Sequence, residues 1–498
     1  MTFTRCLEPL TGPARDPRCG RSSIVNQRPR LLLLGSAIAL AVASPCAGAA
    51  APQQSPSVER DRPQVEAPLS PGAQRIFEAA RDKLLQVRTL LREQDSQASV
   101  GSGFIVDADG LVITNYHVVS QFALQPQRYR LAYTRAGGSS GALQLLAFDA
   151  AHDLALVRML PAGESSGAVQ GRGEATPARP FGVLHFRSRA LPLANGERIY
   201  SLGNPLDIGF AVHEGNYSGL MQRSFYPRIF FAGALNPGTS GGPTLDREGQ
   251  VIGVNSATQP AGQQVSFLVP AEFAEELLQR GRTASPITGD VYPELTRQLL
   301  AHQALLVQRF LALPWRGAGH PRYRIPVPQE DFMRCWGSSS RAESKGLQFE
   351  RSDCEMEGGG ILVGAFQQTG RLSVRHEAYD GSRLGALRFA QAYSNSFRNE
   401  RFGAGDFRNV LLGIGSATTE PQCQESFVDR EGLPLRAVVC LSAYRKLKGL
   451  FDLSVLVTTV DANTQGVQGR FDARGVDFDN TMRLARYYLD GYGWNGSH

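Results

Sequence analysis

At 498 residues and 42% hydrophobic content, the chain has room for two or three globular domains. Its net charge of +6 is concentrated at one end, because residues 1–50 carry six Arg (5, 15, 18, 21, 28 and 30) against Glu8 and Asp16. No dense basic run occurs elsewhere, which argues against nucleic acid as a partner.

Residues 31–43, LLLLGSAIALAVA, form an apolar run behind Arg28 and Arg30, with small residues following through Ala51. This reads as a secretory signal peptide cleaved near Ala49; it is too short for a comfortable membrane span, and an uncleaved anchor is the alternative. Cys46 follows Ser44-Pro45, a poor match to a lipoprotein site. Residues 1–50 are therefore assigned to leader and signal peptide. The mature form is expected to be periplasmic or secreted, without a membrane span. Residues 51–72, rich in Pro, Gln and Ser, read as a flexible tether.

Beyond the leader four cysteines remain, Cys335, Cys354, Cys423 and Cys440. An even number in an exported chain suggests two disulfides. Pairing of sequence neighbours, Cys335–Cys354 and Cys423–Cys440, is preferred among three connectivities, with buried free thiols as the alternative. No CxxC or H-x-x-x-H spacing occurs, so neither a metal nor another cofactor is expected.

Residues 74–83 suit a helix, with Ile76, Phe77 and Ala80 on one side, whereas periodicity leaves residues 84–91 open between helix and strand. Short β-rich runs follow at 101–106 and 111–114, separated by the turn signature Asp107-Ala-Asp-Gly110, then at 130–133, 143–148 and 154–159. Residues 161–180 are rich in Gly, Ala and Pro and read as an exposed connection. A second set of strands is expected at 198–202, 210–215, 229–232, 251–255 and 265–269, closed by a helix over 271–280. Residues 225–231, FYPRIFF, stand out as an aromatic-rich stretch within it.

The chemistry-bearing stretch is NPGTSGGP, residues 236–243. A serine hydroxyl is a poor nucleophile unless a base takes its proton and donors await the oxyanion. Gly238 and Gly241 flank Ser240 with residues that tolerate unusual backbone angles. ITNYHVV places His117 at the end of an apolar strand, and HDLALV places Asp153 at the start of another. The order His, Asp, Ser is one of the known arrangements of a nucleophile, its base and the group that orients the base.

With these residues in place, the chain resembles a trypsin-like serine protease of the HtrA/Deg type over residues 84–279. GSGFIVDADGLVITNYHVV (101–119), HDLALVR (152–158), GERIYSLGNP (196–205), GNYSGL (215–220), NPGTSGGP and VIGVNSA with SFLVP (251–270) match in order. The resemblance implies a mainly β fold, a chymotrypsin-like double six-stranded β-barrel over 73–283, and favours a strand at 84–91. It implies an acyl-enzyme mechanism with His117, Asp153 and Ser240 as triad and the backbone N–H groups of Gly238 and Ser240 as oxyanion hole. The family usually has Asn where Thr239 stands; backbone donors should tolerate the change. Ala234, six residues before the nucleophile, would sit at the base of the specificity pocket, with Asn255, Ser256 and Ala257 along its wall. No carboxylate then awaits Arg or Lys, and a small to medium apolar residue is expected before the scissile bond.

The resemblance ends near Arg280, and no peptide-binding PDZ loop of the Gly-Leu-Gly type follows. Residues 284–328 read as a helical linker, with a helix over 291–313 carrying Leu295, Leu299, Leu305 and Phe310, then a Pro/Arg-rich stretch. Residues 329–498 read as a separate α+β domain with a hairpin at 360–376, a helix at 384–397, paired strands at 437–444 and 450–460, and a terminal helix at 477–488. That domain is expected to be a structural lid or a substrate recruiter. The substrates are expected to be envelope or misfolded proteins or peptides, and homo-oligomerisation is left open. A catalytically silent protease-fold binding or chaperone module is the competing functional class.

Overall fold

The computed structural model describes residues 69–160, 180–258, 265–341, 345–358, 360–364, 367–397 and 417–495. The signal-peptide and tether assignments, and most of the 161–180 connection, lie outside these. Ser70 opens the first helix, α1 (Pro71–Ala80): its hydroxyl accepts from the Ala73 N–H and Pro71 occupies the first turn. The helix buries Ala73, Ile76 and Ala80 and hands over to β1 (Leu84–Leu91). The segment that periodicity left open is thus a strand.

Two closed six-stranded barrels follow. The first contains β1, β2 (Gln97–Ile105), β3 (Leu111–Thr114), β4 (Tyr129–Arg135), β5 (Ser140–Asp149) and β6 (Leu154–Met159), with helix α2 (Tyr116–Leu124) between β3 and β4. The second contains β7 (Arg198–Gly203), β8 (Ala211–Leu220), β9 (Ile229–Ala232), β10 (Pro243–Leu245), β11 (Val251–Thr258) and β12 (Val265–Pro270), closed by α3 (Ala271–Gly281). One apolar cluster spans both barrels, joining Phe104, Ile113 and Leu156 to Tyr200, Leu202, Val254 and Leu277. The barrels therefore cannot slide without opening a shared core, and the loops between them inherit that rigidity.

Helix α4 (Tyr292–Phe310) departs from the expected linker. Its buried stripe runs Leu295, Leu299, His302, Gln303, Leu306, Val307 and Phe310, while Leu305 is 42% exposed. Leu295 and Leu299 enter the core of the first barrel, and Leu306, Val307 and Phe310 enter that of the C-terminal region. An amphipathic period shows that a helix buries a face, but not that two bodies share it.

The Pro/Arg-rich stretch holds the short strands β13 (Arg316–Gly317), β14 (Tyr323–Arg324) and β15 (Pro326–Val327). The C-terminal region contains β16 (Met333–Ser339), β17 (Gln348–Met356), β18 (Ile361–Gly364), β19 (Gln367–Thr369), β20 (Arg371–Asp380), helix α5 (Ala386–Ser396), β21 (Gln422–Arg430), β22 (Leu433–Ala443), β23 (Leu450–Thr459), β24 (Gln465–Asp477), a helix over Phe478–Asp490 and β25 (Gly493–Trp494). Seven of these strands make one antiparallel sheet in the order β16-β17-β20-β24-β23-β22-β21. The expected 360–376 hairpin is shorter: β18 pairs with β19, while β20 runs into the large sheet. Cys335–Cys354 joins β16 to β17 and Cys423–Cys440 joins β21 to β22. Each edge strand is thereby tied to its neighbour.

The described residues form one compact unit. Ile361, Val363, Tyr444, Leu447 and Leu450 from the C-terminal region share a core with Tyr116, Val118, Val119 and Ala123 of α2. The helix that carries His117 is thus backed by the C-terminal region, and the Tyr116 hydroxyl donates to the Val363 carbonyl at 3.2 Å.

Candidate active site

His117 lies in the first turn of α2 rather than at the end of β3, because Asn115 turns the chain and starts the helix. Asn115 Nδ2 donates to the Asp153 carbonyl at 2.8 Å, and the Tyr116 N–H reaches the same oxygen at 3.1 Å. The Asp153 side chain answers in the other direction. Its Oδ1 accepts the His117 backbone N–H at 2.8 Å and its Oδ2 meets His117 Nδ1 at 2.7 Å. Four contacts therefore lock the start of β6 to the start of α2. Asp153 sits at φ +56°, a left-handed conformation that Asp tolerates better than most side chains. Burial alone would lower the His117 pKa, but the Asp153 charge and hydrogen bond outweigh it, and the net shift is upward.

Ser240 reaches the site on a loop pinned at several points. Its carbonyl accepts from the Ser102 N–H at 2.7 Å, and Ser102 Oγ donates to the Gly238 carbonyl at 2.7 Å. The same Ser102 Oγ accepts from the Asn204 N–H at 2.9 Å, so one first-barrel serine ties two second-barrel loops together. Gly241, at φ +84°, leaves no room for a Cβ between the Ser102 carbonyl and Thr114 Oγ1. Gly238, at φ +95°, is similarly closed off by the Asn204 carbonyl. Thr239 is buried, and both its N–H and its Oγ1 bond the Asn236 carbonyl. The threonine is accommodated by closing the turn on itself.

The Ser240 hydroxyl bonds the Ser256 carbonyl at 3.3 Å, and no hydrogen bond joins it to His117 among the described residues. The Pro237 carbonyl is taken by the Leu206 N–H at 2.8 Å. In a trans peptide the Gly238 N–H points the opposite way. Neither that N–H nor that of Ser240 meets an acceptor among the described residues.

Of the residues expected to form a specificity pocket, Asn255 is placed elsewhere. Ala234 is exposed, before the loop that carries Ser240. Asn255 is 0% exposed and offers no wall. Its Nδ2 donates to the carbonyls of Leu202 (3.0 Å) and Thr239 (3.2 Å), and its Oδ1 accepts from Ser201 Oγ (2.9 Å) and Thr244 Oγ1 (2.7 Å). Ser256 is half-buried, with Arg228 Nη1 at 3.4 Å from its hydroxyl. Ala257 pairs through its backbone with Phe267, and its side chain lies outside the described residues. Ser102, Asn204 and Arg228 escaped the sequence reading, although all three lie inside stretches it singled out.

Residues 101–254 match the trypsin-like peptidase domain family. The chain is 31% identical over 219 residues to "Probable periplasmic serine endoprotease DegP-like" of Ectopseudomonas mendocina, a match covering 42% of this chain and 41% of that protein. It is 27% identical over 258 residues to "Protease Do-like 1, chloroplastic" of Arabidopsis thaliana, covering 47% and 54% respectively. Against "Serine protease HTRA1" of Xenopus tropicalis it is 29% identical over 194 residues, 37% of each chain. The barrels are a trypsin-like peptidase domain of the HtrA/Deg type. The chain spans about half or less of the length of these relatives.

The C-terminal region also grips the loop that leads into β9. Phe225 is buried in the C-terminal core, and Arg309 Nη1 donates to its carbonyl at 2.9 Å. The Tyr226 hydroxyl meets His302 Nδ1 at 2.9 Å, and His302 Nε2 meets the Gly370 carbonyl at 2.9 Å. A carbonyl only accepts, so Nε2 carries the proton and Nδ1 accepts from tyrosine. Burial lowers the His302 pKa from 6.5 to about 4, the Gly370 bond opposing. Since the unfolded chain binds the proton more readily, stability contributed by neutral His302 is complete above about pH 6.5 and falls as pH drops towards 4. The full difference is on the order of 3 kcal/mol. Urea titrations at pH 7 and pH 4.5 are expected to show a smaller acid loss for His302→Asn than for the unsubstituted chain; equal losses would refute this.

Proposed function

We propose that the chain is an exported serine endopeptidase that hydrolyses peptide bonds of envelope or misfolded proteins. Ser240 Oγ attacks the scissile carbonyl carbon as His117 Nε2 takes its proton. Asp153 holds the imidazole with Nδ1 protonated and stabilises the imidazolium. The Gly238 and Ser240 N–H groups receive the oxyanion, each such donor being worth about 10²–10³ in rate. His117 returns the proton to the leaving amine, and water then releases the acyl group by the same steps. No cofactor takes part.

The two-point hold of Asp153 on His117 carries this reading, because it selects the tautomer whose Nε2 is a base. Before attack the Ser240 hydroxyl must turn from the Ser256 carbonyl to His117, and such catalytic contacts commonly tighten only when substrate binds. That same resting orientation favours the second reading, a protease-fold binding or chaperone module. Export is supported by the apolar run at 31–43 and by the disulfides. The periplasmic description of the Ectopseudomonas relative supports it too.

The deciding experiment is labelling of the purified chain with a fluorophosphonate probe. Labelling is expected, and Ser240→Ala should abolish it. A chain that resists the probe over hours, while refolding and purifying normally, would favour the binding module.

A further inference from the structure

Arg228 immediately precedes β9 and brings a cation to the catalytic residues. Its guanidinium is half-buried, bonds only Ser256 Oγ (3.4 Å), and forms no ion pair with a carboxylate among the described residues. Burial lowers its pKa, against the opposing influence of the Asp153 charge. Glu357 lines the same small cavity of about 20 Å³, but Arg334 already engages it at 2.8 Å. The backbone behind Arg228 is held by Phe225, by the Tyr226–His302 bond and by the fixed φ of Pro227. The cation is placed and pairs directly with no carboxylate among the described residues.

We propose that Arg228 is a specificity determinant that selects an acidic substrate side chain within two or three residues of the bond cut at Ser240. This rests on the protease reading above. Ser256 links the two groups: its carbonyl accepts from Ser240 Oγ at 3.3 Å and its hydroxyl lies 3.4 Å from Arg228 Nη1. An extended chain advances about 3.3 Å per residue, so a substrate positioned at Ser240 passes the guanidinium within two or three residues. A partly desolvated cation without an opposite charge in contact is costly, and a carboxylate can engage the guanidinium fork with two parallel bonds. Neutral residues leave that cost in place. The small apolar preference expected before the scissile bond is therefore supplemented by a charge preference beside it.

The test uses the full chain and quenched-fluorescence peptides with Val at the cleaved position, differing only as Glu or Gln at one of the two preceding positions. At one position kcat/KM is expected to favour Glu by about ten- to a hundredfold, the range for a hydrogen bond to a charged group. Arg228→Gln should bring the ratio close to one, and Arg228→Lys should keep part of it. A residue that merely braces Ser256 would slow both peptides alike and leave the ratio unchanged. A wild-type ratio near one, or a ratio that survives Arg228→Gln, overturns the proposal and leaves the protease reading standing. Anisotropy of the same peptides on Ser240→Ala gives an independent readout. Glu-selective binding with no turnover by the wild type would keep the anion site and overturn the protease assignment; neither selectivity nor turnover would overturn both.

Discussion

Asp153→Asn is expected to lower kcat/KM by about 10⁴ while the chain stays folded, the size of effect a wrong histidine tautomer produces. An asparagine at 153 can keep the acceptor that meets the His117 backbone N–H, and Asn tolerates the left-handed φ of +56° nearly as well as Asp. The atom facing His117 Nδ1 then becomes an amide N–H donor. Nδ1 must accept, the ring proton moves to Nε2, and the nitrogen facing the nucleophile is no longer a base. The pH profile gives a second readout. In the unsubstituted chain the His117 pKa is raised, so kcat/KM should climb with pH through a midpoint above the ordinary imidazole value of 6.5. Removing the Asp153 charge leaves burial as the dominant influence, so the midpoint of the residual activity should move down. For stability the sign is opposite: the raised pKa contributes at pH values below the unfolded value, and that contribution is lost as pH rises through the folded value. Wild-type rates in Asp153→Asn, or a limb that does not move, would count against the triad.

The candidate site was legible because each of its parts depends on local chemistry. Ser240 is flanked by the glycines its turn demands, and His117 and Asp153 are each joined to an apolar β-run that the barrel buries. Strand alternation and turn residues pointed to ten of the twelve barrel strands; β1 was favoured only by the family resemblance, and β10 was not anticipated. What stayed hidden depends on which surfaces meet. Nothing in the period of α4 says that Leu295 and Phe310 serve different cores. Nor does the FYPRIFF stretch announce its division of labour. Phe225 anchors the C-terminal core, Phe231 fills the second barrel, and Arg228 between them turns towards Ser256. Asn255 was misplaced for a related reason. Strand β11 alternates faces, and only the barrel's closure decides that the amide points into a dry interior rather than the cleft.

That interior amide leads to the second large effect. Asn255→Ala is expected to destabilise the chain by about 3 kcal/mol or more, because a deletion strands the partners of a buried group. Four groups would lose a bond: the hydroxyls of Ser201 and Thr244 and the carbonyls of Leu202 and Thr239, the last keeping only the Gly242 N–H. Ser201 and Thr244 are both fully buried, so water cannot replace the lost acceptor without opening the barrel. Asn255→Asp should not rescue the loss. It keeps an acceptor for the two hydroxyls, but points a carboxylate at two carbonyls and buries an unpaired charge. The damage should also reach the chemistry, because Thr239 is adjacent to Ser240 and its carbonyl is held by the Asn255 amide and the Gly242 N–H. A lower denaturation midpoint should therefore be accompanied by slower fluorophosphonate labelling, even at temperatures where Asn255→Ala is still folded. Near-normal stability and labelling in that variant would mean that the four bonds do not hold the nucleophile loop.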